Sequence, residues 1–192
     1  MNGQEALERL MTGNAVFSAG EGAVCPAREE IAALRDGQNP IAAIVGCADS
    51  RVPPNLVFGC TLGELFVVRT AGNVLSEFEL GSVEYAVCVL GVPLVLVLGH
   101  SSCGAIAAAL RGDGETAPGA LGRLLEELRP AAEQARSETD DPARMAALAE
   151  DYNIRHTVEK LRADPALREV SELRIVGGKY DLCTGIVSLL PE

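Results

Sequence analysis

A chain of 192 residues is long enough for one domain with its own core and too short for two of ordinary size. Aromatic residues make up 4% of it and tryptophan is absent, against 48% hydrophobic residues overall, so the core has to be built from Ala, Val, Leu and Ile. The formal charge of −11, with no clustered Lys and Arg, excludes a phosphate-backbone partner, and no nucleic acid is expected.

The opening segment MNGQEALERLMTGN mixes Glu and Arg on a helical period and lacks the basic start and apolar core of a signal peptide. Ala6, Leu7, Leu10, Met11 and Phe17 fall near helical spacing, which predicts an amphipathic helix over residues 3–19, an N-terminal helical arm able to serve a partner subunit. A second helical stretch around residues 28–35 completes this arm, taken as residues 1–35. Turn residues Asp36 to Pro40 then lead into IAAIVGC, a short apolar run that reads as a buried strand ending at Cys47. LFVVR at 65–69 is the second strand, and residues 70–73 turn the chain.

Leu80, Val83, Val87 and Leu90 predict a crossover helix over residues 79–90, stopped by Gly91. LVLVLGH then forms a strand ending at His100, and the small residues from Cys103 to Ala109 begin another helix. Residues 120–161 are rich in Ala, Leu, Glu and Arg and read as helical, with a break near 137–142, before LRIVGGKYDL and GIVSLL complete the sheet. Continuous apolar strands alternating with helices give an α/β fold, one domain over residues 1–192 with its core in 40–192, built on a mostly parallel sheet covered on both faces. The apolar runs at 40–47 and 85–99 are broken by Gly and Pro short of bilayer length, so no membrane span is expected.

Six cysteines at positions 25, 47, 60, 88, 103 and 183 form no dense disulfide framework, and a reducing cytoplasm is the expected location. Two segments place metal-binding side chains just past the C-terminal end of a buried strand: Cys47-Ala48-Asp49-Ser50-Arg51 and His100-Ser101-Ser102-Cys103-Gly104. That edge of a parallel sheet is where ligands bind, provided the two strands are neighbours at a switch point. Two thiolates and an imidazole suit Zn²⁺, and three protein ligands leave the open position of a catalytic site. Taken singly, a Cys at a strand end is more often a core residue than a ligand, and only one of the two pairs is close in sequence, so spacing alone leaves both readings open. Asp49 and Arg51 likewise read either as a surface ion pair or as part of a site.

The blocks CADSRVPP at 47–54, ELFVVRTAGNV at 64–74, GSVEYAVCVLGVPLVLVLGHSSCGA at 81–105 and VGGKYDLCTG at 176–185 resemble the successive signature blocks of β-carbonic anhydrases, in order and separation, across roughly residues 5–190. The resemblance implies a four-stranded parallel sheet extended by a further strand, and a homodimer or an assembly of dimers. It also implies zinc held by Cys47, His100 and Cys103, and reversible hydration of carbon dioxide to bicarbonate. In the same reading Arg51 holds Asp49 by paired hydrogen bonds and Asp49 accepts a hydrogen bond from the attacking water, or swings onto the metal as a fourth ligand in a closed state. Val52 is expected to line a dry carbon dioxide pocket, and Gly104, with Gly99, to let backbone turn closely at the metal.

Cys60, or Thr61 in a shifted register, stands where the family commonly carries a substrate-facing Gln. Cys60 is therefore expected at the substrate as a weaker donor, with the Cys60→Gln exchange expected to raise activity. Carbonyl sulfide or carbon disulfide hydrolysis and a catalytically silent bicarbonate-binding module are the alternatives. Cys25, Cys88 and Cys183 are read as small apolar residues, and His156 as a solvated or internally bonded histidine.

Overall fold

The computed structural model describes residues 1–22 and 26–191. It contains a five-stranded sheet in the order β2-β1-β3-β4-β5, formed by β1 (Ala42–Cys47), β2 (Leu65–Thr70), β3 (Leu94–His100), β4 (Arg174–Tyr180) and β5 (Val187–Leu189). The first four are mutually parallel, and β5 pairs antiparallel to β4. The expected four parallel strands and added C-terminal strand are therefore present.

The helices are α1 (Gly3–Ser18), α2 (Arg28–Ala33), α3 (Pro54–Val57), α4 (Glu77–Glu84), α5 (Gly104–Arg111), α6 (Gly119–Glu138), α7 (Pro142–Ala163) and α8 (Pro165–Arg168). The crossover helix expected over 79–90 starts two residues earlier, and its last turn, Tyr85–Val89, widens to π geometry. Two short helices, α3 and α8, carry no apolar period and were not expected; each opens on a proline, Pro54 and Pro165, whose fixed φ suits a first helical turn.

Side chains alternate strictly across the sheet. Ala42 and Ile44 of β1 and Leu94, Leu96 and Leu98 of β3 face one core layer with Ala6, Leu7 and Leu10 of α1. Ala43, Val45, Val95 and Val97 face the other, with Val83 of α4 and Ile154, Val158 and Leu161 of α7. The strands are apolar throughout because helices cover both faces. Against the single-layer alternation typical of exposed sheets, every residue of β1 and of β3 is buried.

The N-terminal helix lies along the sheet of its own chain. Asn2 caps it through a reciprocal capping box with Glu5. Asn14, buried on its inner face, donates to the carbonyls of Val57 and Gly185 and accepts from the amide of Val187. Gly13 lets the backbones touch, since a Cβ there would stand 1.8 Å from the Phe58 oxygen. By contrast α2 buries none of its residues.

Strands β1 and β3 are neighbours, and the chain leaves β1 toward β2 on one side and β3 toward β4 on the other. Their C-terminal ends thus frame a switch point, where the two loops diverge and open a crevice.

Candidate metal centre

Cys47 closes β1 and His100 closes β3, so the sheet itself delivers both to one edge, and a tight turn of two residues brings Cys103 back beside them at the start of α5. The Sγ atoms of Cys47 and Cys103 and a ring nitrogen of His100 lie within 4.8 Å of one another, and all three residues are buried. This is the only group of three metal-ligating side chains so placed among the described residues.

The imidazole is oriented for a cation. Its Nδ1 lies 2.9 Å from the Ser101 carbonyl, which can only accept, so Nδ1 carries the hydrogen. The opposite nitrogen, Nε2, is buried and has no hydrogen-bond partner, an arrangement that costs free energy unless a ligand completes it. With its lone pair facing two sulfurs, the donor set of two thiolates and one neutral imidazole fits zinc.

The two sulfurs are close neighbours and act on each other's ionisation. The neighbouring Cys103 thiol lowers the Cys47 pKa against the opposing effect of burial, and the Gly72 amide adds to the lowering. The same proximity, with burial, raises Cys103, and a divalent cation between the two sulfurs would favour the thiolate form of both. The Gly72 amide donates to the Cys47 sulfur at 3.3 Å from a short turn, Ala71–Asn73, in which Gly72 has φ +66°. Glycine is needed there on two counts, because a Cβ would also meet Leu128 at 2.9 Å.

Asp49 and Arg51 form a closed local unit. Arg51 donates from Nε to Oδ1 at 2.9 Å and from Nη2 to Oδ2 at 2.7 Å, and its own amide adds a third bond to Oδ1 at 2.9 Å. These bonds hold the Asp49 carboxyl well below the usual carboxylate range despite partial burial. Asp49 Oδ2 stands 3.9 Å from His100 Nε2, at the border of the three-residue group. Arg51 also reaches the Ser102 carbonyl at 3.4 Å, which links the two loops.

The remaining sequence-predicted residues are placed less directly. Val52 is fully buried in the core layer shared with α1, behind the Asp49 turn. Gly104 faces open space at the first turn of α5, whereas a Cβ on Gly99 would strike Ile154 at 2.6 Å, so Gly99 serves helix packing. Cys60 is 1% exposed, packed among Val57, Phe58 and Leu65, with its thiol 3.5 Å from the Phe58 carbonyl. Burial pushes its pKa up to about 11. In this chain Cys60 faces its own core, because the turn after α3 rotates it inward, and the partly exposed Thr61 follows it. Cys88 and Cys183 are exposed rather than core residues, and Cys25 lies outside the described residues. His156 contacts Gln134 at 3.2 Å, an internal partner as expected.

Two supporting groups were not anticipated. Arg69, on β2, donates to the carbonyls of Cys47 and Asp49; a lone cation in an otherwise apolar strand was the available signal. Glu150, on α7, approaches the Cys103 amide, and nothing distinguished it from the other charged residues of that helix.

The family model described as carbonic anhydrase matches residues 42–187. Carbonic anhydrase 2 of Mycobacterium tuberculosis is 43% identical over 149 residues, covering 77% of this chain and 69% of that protein. The carbonic anhydrase of Pseudomonas aeruginosa is 36% identical over 177 residues, covering 86% and 80%. Among solved structures, a tetrameric β-carbonic anhydrase of Sordaria macrospora superposes with a TM-score of 0.73 at 30% identity over 84% of this chain and 86% of that one. The Coccomyxa enzyme in complex with acetazolamide gives 0.76 at 28% identity over 85% and 81%. With the ordered cysteine, histidine and cysteine at the sheet edge, these likenesses establish that the chain belongs to the β-carbonic anhydrase family.

Proposed function

We propose that Cys47, His100 and Cys103 hold the catalytic zinc of a carbon dioxide hydratase, and that Asp49 and Arg51 complete its active site. The observation that carries this reading is the buried, unpartnered Nε2 of His100 facing two sulfurs. Zinc bound there supplies a Lewis acid that makes water nucleophilic near neutral pH.

The chain's own residues do the rest. The Ser101 carbonyl fixes the His100 tautomer, and the Gly72 amide stabilises negative charge on the Cys47 sulfur. Arg51 occupies both oxygens of Asp49, so the carboxylate stays ionised and points one edge toward the space beside His100 Nε2. From there it accepts a hydrogen bond from the attacking water and orients it toward carbon dioxide. The bonds to Arg51 favour the open arrangement, with Asp49 outside the ligand group; moving it onto the metal would break them. Gly104 leaves room beside Cys103 for a small substrate, and Val52 backs the turn from the core.

The chain acts as a single zinc-binding α/β domain, with residues 1–35 as its N-terminal helical segment and 40–192 as its core. It works as a homodimer or an assembly of dimers in the cytoplasm. Support for assembly comes from the aromatic and apolar surface beside edge strand β2, where Phe78 is 82% exposed and Tyr85 and Val89 are exposed too. No helix among the described residues is long and apolar enough to cross a membrane.

Metal analysis and stopped-flow hydration test the reading together. Cys103→Ala is expected to lose zinc, and full occupancy in that variant would refute the ligand assignment. Asp49→Ala is expected to retain zinc and lose about 10²-fold in rate, the typical cost of removing an orienting hydrogen-bond partner. Comparison of turnover on carbonyl sulfide and carbon dioxide by the parent fixes the preferred substrate.

A further inference from the structure

Glu150 is 6% exposed, a carboxylate buried beneath the metal-binding loop. Its Oε2 meets the Lys179 ammonium at 2.8 Å, and its Oε1 accepts from the Cys103 amide at 3.3 Å. Lys179 is fastened in turn by Asp151 at 3.0 Å and by the Ala147 carbonyl at 3.0 Å. A buried ion pair is a poor way to gain stability, because desolvation of both charges opposes their attraction. This pair is therefore informative by its place: it joins α7 and β4 to the backbone of one sulfur-bearing residue.

The loop requires such an anchor. Ser102 has φ +56°, a left-handed conformation that a serine adopts only when its surroundings impose it. On one side of Ser102 the loop is tied through Ser101, whose amide donates to the Tyr180 carbonyl and whose hydroxyl accepts from the Leu182 amide, both at 2.9 Å. On the other side Cys103 is the N-cap of α5, so its amide has no partner within the helix. Glu150 supplies that partner. Cys47, in contrast, is placed by strand pairing, with Arg69 holding its carbonyl.

We propose that Glu150, braced by Lys179, is a positioning residue for Cys103, its carboxylate setting where the Cys103 sulfur stands relative to Cys47 and His100. The inference rests on the reading of Cys103 as a zinc ligand. It concerns a group that touches neither metal nor substrate and acts through the backbone of the ligand.

Zinc affinity, measured by chelator competition on protein shown to be folded by circular dichroism, tests it in the full chain. Glu150→Ala is expected to bind zinc roughly tenfold or more weakly than the parent, as for other groups that orient a ligand. Glu150→Gln keeps an oxygen acceptor for the Cys103 amide and is expected to recover most of that loss. Gly13→Ala, which disturbs the packing of α1 far from the metal, serves as the control: lower stability with parent-like zinc affinity. Equal affinity in parent and Glu150→Ala, or a loss no greater than that of the Gly13 control, overturns the positioning role while leaving the ligand assignment intact. Failure of the parent itself to bind zinc overturns both. Should Glu150→Ala not fold, Lys179→Met takes its place with the same expectation of weakened binding, and parent-like affinity in that variant overturns the role.

Discussion

The guanidinium of Arg69 on β2 donates to the backbone carbonyl of Asp49 at 2.6 Å, and its Nε donates to the Cys47 carbonyl at 2.8 Å. One side chain thus fixes the turn between a sulfur and the carboxylate beside it. Hydrogen bonds from a charged group are worth about 1.5–3 kcal/mol each, so Arg69→Met is expected to lower kcat/KM at least roughly tenfold. Arg69→Lys should recover little, because an ammonium lacks the fork that spans two acceptors. Stopped-flow hydration alongside zinc analysis checks this; a fully metallated Arg69→Met protein with the parent's rate would show that the turn holds itself.

Cys60 gives a second test, in which the outcome expected from sequence is reversed. Its thiol is enclosed among Val57, Phe58 and Leu65, so Cys60→Gln would bring a larger polar amide into apolar surroundings. Burial of an unpartnered amide costs about 1–3 kcal/mol, and a lower melting temperature without faster hydration is expected. Thr61→Gln, at the partly exposed neighbour, should fold as the parent does. A faster and equally stable Cys60→Gln protein would mean that this turn rearranges to present residue 60 outward.

Lys179 predicts an alkaline signature. Burial opposes its charge, but the carboxylates of Glu150 and Asp151 outweigh burial and raise its pKa. With the folded value above the unfolded one near 10.4, the stabilisation is fully present below about pH 10.4 and is lost as pH rises through the folded pKa. The melting temperature of Lys179→Met should therefore lie below the parent's at about pH 8, with the gap narrowing above about pH 10.5. Thermal scans of both proteins across that range decide it, and a constant gap would assign the loss to packing of the alkyl chain.

Gly13→Ala sets helix propensity against contact. Alanine normally favours a helix interior over glycine by about 1 kcal/mol. Here its Cβ would stand 1.8 Å from the Phe58 oxygen and 2.6 Å from the Phe58 carbonyl carbon, both backbone atoms. The clash should win, with a net loss of about 1–3 kcal/mol in urea denaturation. Neutral or increased stability would mean that α1 slides on the sheet at little cost.

The sequence by itself determined the periodic features and the local chemistry. Continuous apolar runs defined β1 to β4 within a residue or two at most ends, because a strand buried on both faces admits few polar residues. The short spacing of His100 and Cys103, and of Asp49 and Arg51, marked groups that meet through local backbone geometry alone. Only the tertiary structure decided what depends on which elements become neighbours. It placed β1 beside β3, turned Cys60 inward, exposed Cys88 and Cys183, and laid α1 on its own sheet. It also joined Arg69 and Glu150 to residues 20 and 47 positions away. Such contacts leave no period in the chain, because the partner of a charged side chain here is a backbone carbonyl or amide, groups that nearly every residue carries and that acquire an address only when the fold brings them together.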